Sequence, residues 1–210
     1  VTEIYSNVDR EILTFGGDVA LALPFIYDIE PINNQSVAGV IGIHMPVGNK
    51  IYFPDALAED LIKFVEENKN YQFKILHDGP GHGVHAKLKG LLSFENVVEL
   101  DFDSPEGLLS QLNQCEVVFS TKLHVGICAY ALGKKVVSIY THPKNVRFFQ
   151  QIKRSDNAVS IAEYQVGWLQ RIATKTFSDI GFHDELSKLS SQVISDLEAL
   201  NREVAKINGK

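Results

Sequence analysis

From residue 37 onward the chain alternates short apolar runs with amphipathic segments, and this rhythm restricts the fold more than any other feature. The runs cover residues 37–45, 71–78, 96–102, 116–120, 135–140 and 158–162. They are rich in Val and Ile, and several are apolar at consecutive positions rather than at alternate ones. A strand covered on one face alternates, whereas a parallel strand covered on both faces does not, so the runs predict a parallel sheet between two helical layers. The intervening segments supply the helices. Leu57, Leu61, Phe64 and Val65 form one apolar stripe within 54–69. Ser104, Pro105 and Glu106 read as a cap, a first-turn proline and a first-turn acid, opening a helix that carries Leu108, Leu109 and Leu112. Residues 123–132 are apolar almost all round and close at Gly133, the pattern of a buried helix. The fold class that follows is α/β, a Rossmann-like parallel sheet flanked by helices.

Both ends leave this rhythm. Residues 1–35 contain a turn-rich Phe15-Gly16-Gly17-Asp18 stretch and no full βαβ unit. Near the other end, Leu186, Leu189, Val193, Leu197, Leu200, Val204 and Ile207 recur at spacings of three and four. They predict a long amphipathic helix whose stripe meets either a neighbouring domain or a second copy of the chain. The expected organisation is therefore an interdomain segment or domain remnant over 1–35, a Rossmann-like domain over 36–175, and a C-terminal helix over 176–210. The chain opens on Val1 rather than Met, as expected of a piece of a longer gene product.

Composition narrows the function classes. A net charge of −6 disfavours nucleic acid, so an anion site must be a local basic pocket in an acidic protein. Cys115 and Cys128 lie in apolar surroundings and are expected as buried thiols, which points to a reducing, cytoplasmic compartment. No apolar stretch reaches membrane-spanning length.

Two segments carry chemistry. In residues 117–124 a strand ends and a buried helix begins with Lys122 and His124 in its first turn. Helix N-termini expose unpaired amides and a partial positive charge, and ligands of open parallel sheets collect at the carboxyl ends of the strands. Lys122 and His124 are then anion-site candidates; the competing reading makes them a solvated cap residue and a satisfied core histidine. One βα unit later come Tyr140, Thr141, His142, Pro143 and Lys144, with Arg147 three residues beyond on the same helix face. His44 follows a third strand at the same edge. His77, His82 and His85 are separated by Gly79, Pro80, Gly81 and Gly83, a loop without metal-ligand spacing, so no metal site is expected there.

The run Phe119-Ser120-Thr121-Lys122-Leu123-His124, followed by Val125-Gly126-Ile127-Cys128-Ala129-Tyr130-Ala131-Leu132-Gly133, resembles the signature of the polysaccharide pyruvyl transferases. That signature is a Ser-Thr/Ser-Arg-Leu-His block, a small-residue helix and a following apolar strand. The segment from Gly17 to Pro24 is similar to the family's Asp-x-Ala-x-x-Leu-Pro stretch, and Tyr140 to Lys144 stands where the family has Tyr-Asp-x-Lys. Lys122 replaces the usual Arg, keeping the charge without the bidentate fork. Thr141 or His142 stands in place of the downstream Asp.

The resemblance implies one half of a GT-B-type two-domain fold that moves pyruvate from phosphoenolpyruvate onto a sugar of a bacterial cell-surface polysaccharide or its precursor, with no cofactor. It further implies donor binding by Thr121, Lys122, Leu123, Lys144 and Arg147, and acid–base work by His124 with His44 next in line. His82 and His142 fall on the acceptor side. Such an enzyme works in the cytoplasm or at the inner face of the membrane. A sialyltransferase-like enzyme using a nucleotide sugar and a non-catalytic sugar-binding module are the alternatives.

Overall fold

The computed structural model describes residues 18–32, 38–45, 52–179 and 182–208. Six strands form one parallel sheet: β1 (Val40–His44), β2 (Gln72–Ile75), β3 (Val97–Glu99), β4 (Val117–Ser120), β5 (Lys135–Tyr140) and β6 (Ala158–Ser160). Their order is β3-β2-β1-β4-β5-β6, with every neighbouring pair parallel. All six lie within the apolar runs. Position 37 and residues 46–51 fall outside the described residues.

Seven α-helices accompany the sheet among the described residues: α1 (Leu23–Ile26), α2 (Asp55–Glu67), α3 (Pro105–Asn113), α4 (Leu123–Ala131), α5 (Lys144–Gln151), α6 (Trp168–Phe177) and α7 (Phe182–Asn208). One core layer joins α2 and α6 to Ile41, Ile43, Phe73, Val117, Phe119, Val137 and Ile139. The other joins α3, α4, α5 and α7 to Leu76, Val118 and Val136. Consecutive residues such as Val117, Val118 and Phe119 therefore enter opposite cores, which is why these strands do not alternate.

Local chemistry sets the element ends. The Ser104 hydroxyl accepts from the Gly107 amide at 2.9 Å, with Pro105 in the first turn of α3. Gly133 takes φ 75° after α4, a conformation that costs glycine little. At Gly42 in β1, an added Cβ would meet Cys115 Sγ and a Leu76 methyl at 3.0 Å each, so a larger residue there would have to displace both side chains of the second core.

Helix α7 was expected from its stripe, and the stripe is used unevenly. Leu186 and Val193 are buried and Leu189 and Leu197 are partly covered, all in the second core. Leu200 is 59% exposed and Val204 44% exposed; the Ile207 side chain lies outside the described residues. Helix α6 was not anticipated. Both cysteines are free, but only Cys115 is fully buried and Cys128 is half-buried; burial pushes their thiols up to about 12 and about 11. No helix among the described residues is long and apolar enough to cross a membrane.

Candidate active site

The strand order reverses direction between β1 and β4. From β1 the chain proceeds outward through β2 and β3, then returns to the other side of β1 as β4. The connections diverge there and leave a crevice outside the carboxyl ends of β1 and β4, the position where open α/β sheets bind ligands. His44 ends β1, Ser120 ends β4, and the two are paired across the ladder. The Thr121 amide donates to the His44 carbonyl at 3.1 Å, locking the two strand ends together.

An Asp sits at the centre of this crevice. Asp78, three residues past β2, places Oδ2 2.6 Å from Lys122 Nζ. Its Oδ1 lies 3.4 Å from His44 Nε2 and 3.3 Å from His82 Nδ1. The His44 ring is fully buried, and neither of its nitrogens completes a hydrogen bond among the described residues; Asp78 Oδ1 lies within ion-pair distance, a contact that is charged only with the imidazole protonated. Thr121 is also buried, and its hydroxyl has no hydrogen-bond partner among the described residues. The His44 imidazole lowers the Asp78 carboxyl, partial burial works against this, and the Lys122 ammonium lowers it further; the net result lies far below the usual carboxylate range.

Helix α4 starts directly over this cluster. Lys122 is its N-cap residue, and no side chain caps the helix. The first intrahelical bond is from Gly126 to the Lys122 carbonyl, so the amides of Leu123, His124 and Val125 point outward from the positive end of the helix. The Ser120 hydroxyl bridges the turn, accepting from the Lys122 amide at 3.2 Å and donating to its carbonyl at 2.9 Å. His124 is exposed. Together with Asp78 it borders a groove of about 270 Å³ whose other walls are apolar, including Tyr27, Phe102, Leu108 and Cys128.

The structure thus gathers Thr121, Lys122, Leu123, His124, His44 and His82 around one crevice. It leaves the second basic cluster apart. Lys144 and Arg147 are exposed on α5, and neither side chain has a hydrogen bond or ion pair with the Asp78 cluster among the described residues. His142 Nδ1 accepts from the Lys144 amide at 3.2 Å, the role of a turn cap.

The three histidines of the 77–85 stretch diverge. His77 pairs with Glu99 at 2.8 Å, His82 faces Asp78, and His85 accepts from the Lys87 amide at 3.3 Å while packing on Phe53. No group of three or more His, Cys, Asp or Glu side chains among the described residues is arranged to hold a metal ion.

Asp78 is the residue that reasoning from sequence passed over. Besides the neighbouring His82, its partners His44 and Lys122 lie 34 and 44 positions away, and only the meeting of β1, β2 and β4 brings them to it.

The sequence profile of the polysaccharide pyruvyl transferase family matches residues 5–143, which include β1 to β5, α4 and all of the cluster. No curated protein sequence matches the chain. Among solved structures, the glycotransferase of kitacinnamycin superimposes with a TM-score of 0.55 at 15% identity, over 90% of this chain and 47% of that one. At that identity the likeness is one of fold, and the chain spans about half the length of that relative.

Proposed function

The chain belongs to the polysaccharide pyruvyl transferase family, and from that premise we propose that it forms the donor side of an enzyme moving pyruvate from phosphoenolpyruvate onto a sugar. The observation that carries this reading is the meeting, at the switch point of the sheet, of an uncapped helix N-terminus with Lys122, His124 and a buried His44–Asp78 pair. The half-length superposition on a glycotransferase supports a GT-B-type layout, with a second Rossmann-like half facing the crevice.

The chemistry asks for three things. The donor carries a phosphate and a carboxylate, so it needs a cationic cradle. The amides at the start of α4 and the Lys122 ammonium supply one, with the unpartnered Thr121 hydroxyl beside them. The first sugar hydroxyl adds to C2 of the enol ester as C3 takes a proton, turning the methylene into a methyl group. The C2–O bond to phosphate then breaks, inorganic phosphate leaves, and a second hydroxyl closes the ketal with loss of its proton. We assign proton exchange with these groups to the exposed His124, with the buried His44 beside Asp78 as the second candidate.

Lys122 is not idle before donor arrives. Asp78 holds it, so the incoming anion must compete with a carboxylate at 2.6 Å. This sets a threshold against weakly charged ligands and keeps the ammonium aimed into the crevice. Lys144 and Arg147 would join only by moving toward the donor, and we assign His82 and His142 to the acceptor side. On this reading the working compartment is the cytoplasm or the inner face of the membrane.

The test is transfer by the intact gene product with phosphoenolpyruvate, CMP-sugar and UDP-sugar donors supplied separately. Saturation by phosphoenolpyruvate, with release of inorganic phosphate, is the expected result. Saturation by a nucleotide sugar instead would move the protein to the sialyltransferase-like reading. Binding of glycan without turnover, insensitive to His124→Ala, would make it a sugar-binding module.

A further inference from the structure

A second cavity lies away from the Asp78 cluster, beside β6, and no role assigned above uses it. Its volume is about 450 Å³, within the range of small-ligand sites. Tyr140 and Ser160, which end β5 and β6, line its upper part. Strand β5 is two places from β1, so this rim stands roughly 10 Å along the same sheet edge from His44.

The cavity wall carries the only tryptophan of the chain, Trp168. The Arg171 guanidinium lies over the indole, 5.5 Å from the ring centroid, so the two enter the wall as one stacked unit. The loop presenting them is tied down from beneath. Asp60 Oδ2 accepts from the Tyr164 hydroxyl at 2.7 Å and from the Gly167 amide at 2.6 Å. The Leu169 amide donates back to the same hydroxyl at 2.9 Å, and the Tyr164 ring packs edge-on against Trp168. An exposed surface aromatic does not need such support. A binding platform does, because a fixed platform loses less entropy when its ligand arrives.

The charges of the wall say what that ligand is. Arg171 and Lys175 face Asp156 and Glu163, two of each sign, so the cavity has no net preference for an anion or a cation. Lys175 is paired with Asp156, while Glu163 and Arg171 have no ion-pair partner among the described residues. A carboxylate without an ion-pair partner, and a guanidinium held against an aromatic ring, suit a ligand that offers hydroxyls to both.

We propose that this cavity is a saccharide subsite, taking a neutral sugar unit of the acceptor glycan some 10 Å from the unit being modified. The inference rests on the reading that the acceptor is a glycan. It gives the protein a means of selecting polymer over free sugar, because a subsite at this distance is reached only by a chain of several units.

Trp168 makes the experiment direct, since its fluorescence reports this cavity alone. The chain is titrated with neutral trisaccharides of glucose, galactose and mannose, with the corresponding monosaccharides, and with inorganic phosphate. At least one trisaccharide is expected to shift the emission saturably with millimolar affinity, and its monosaccharide to bind about tenfold more weakly. Glu163→Gln should weaken that affinity about tenfold while leaving the folded spectrum unchanged. Amide chemical shifts at 155–175 should move with the saccharide, and those at 121–125 with phosphoenolpyruvate. Absence of any trisaccharide response overturns the subsite, as does an equal response to phosphate or indifference to Glu163→Gln. A donor response at 121–125 without a saccharide response defeats this inference alone; the reverse defeats the donor site alone.

Discussion

Replacing Asp78 with Asn keeps the side chain's shape and removes its charge, which isolates what the carboxylate contributes. Its three partners are unequal. The Lys122 side chain is 45% exposed, so its ion pair is screened and contributes no more than about 1 kcal/mol despite the 2.6 Å distance. His82 is partly exposed and falls in the same class. His44 has no exposure to water and no hydrogen bond of its own, and removing one member of a buried pair costs up to roughly 3–5 kcal/mol. The 3.4 Å contact and the 16% exposure of Asp78 place this pair below that ceiling, so Asp78→Asn should destabilise the fold by about 2 kcal/mol at pH 7. The pH dependence has a definite sign. Asp78 is more acidic in the folded state than unfolded, so its contribution is present above the unfolded carboxylate value and is lost as pH falls below it. Urea unfolding of wild type and Asp78→Asn at pH 7, 5 and 3 measures this directly. The difference between them should be present at pH 7 and pH 5 and shrink by pH 3. A difference that is near zero at both pH 7 and pH 5, or that fails to shrink between pH 5 and pH 3, would refute the electrostatic account of the cluster.

Four further outcomes are expected. Lys122→Ala in the intact enzyme should weaken donor affinity by roughly 1–3 kcal/mol, and Lys122→Arg should retain affinity without improving it while Asp78 competes for the guanidinium; isothermal titration with phosphoenolpyruvate checks both. His124→Ala should lower kcat on the order of 100-fold with a smaller change in donor affinity, read by phosphate release. Burial pushes the Lys134 ammonium down to about 8 from 10.5, so the unfolded chain binds more protons between those values and this residue's penalty fades as pH rises. The stability gained by Lys134→Met, offset by loss of the 2.8 Å bond to the Ile32 carbonyl, should therefore be largest below pH 8 and smaller at pH 10, as urea unfolding will show. In α7, amide exchange should be slow at 186–197 and fast beyond, and Leu200→Ser with Val204→Ser should reduce any self-association in sedimentation.

How much of this was legible in the sequence depended on how far apart the interacting residues lie. The central strands β1, β4 and β5 were readable because each signals its double burial within a few consecutive residues, as Val117-Val118-Phe119 does, and the less buried β2, β3 and β6 through their place in the same alternating rhythm. The α3 start and the α4 end were readable because capping and closure are local events at Ser104 and Gly133. Helix α6 was missed. Its apolar positions, Leu169, Ile172 and Ala173, form a short stripe, and its N-cap is Gly167 with no side-chain bond, so neither usual start signal is present. A stripe count across 168–177 was the one available clue. Lys122, His124 and His44 could be placed at one sheet edge by counting strands. That Lys122 is neutralised could not, because Asp78 reaches it only through the order β2-β1-β4.

That order also explains why a lysine can stand at the family's arginine position. An arginine beside a carboxylate forms a planar two-bond pair that an incoming donor must break as a unit. A lysine holds Asp78 through one bond at 2.6 Å and has two other protons free to turn toward a ligand. The ammonium can therefore begin to bind the donor before it leaves the carboxylate, at the N-terminus of a helix that already favours the anion. Asp78, released from Lys122, would still face the buried His44, so the charge exposed by donor binding does not go unpaired. On this account Lys122→Arg and Asp78→Asn are coupled. The double variant should bind donor more tightly than the sum of the single changes predicts, because a neutral amide at position 78 no longer competes for both ends of the guanidinium. A double-mutant cycle on donor affinity should give a coupling of about 1 kcal/mol in that direction. Simple additivity would mean that Asp78 positions His44 and leaves the donor's cation alone.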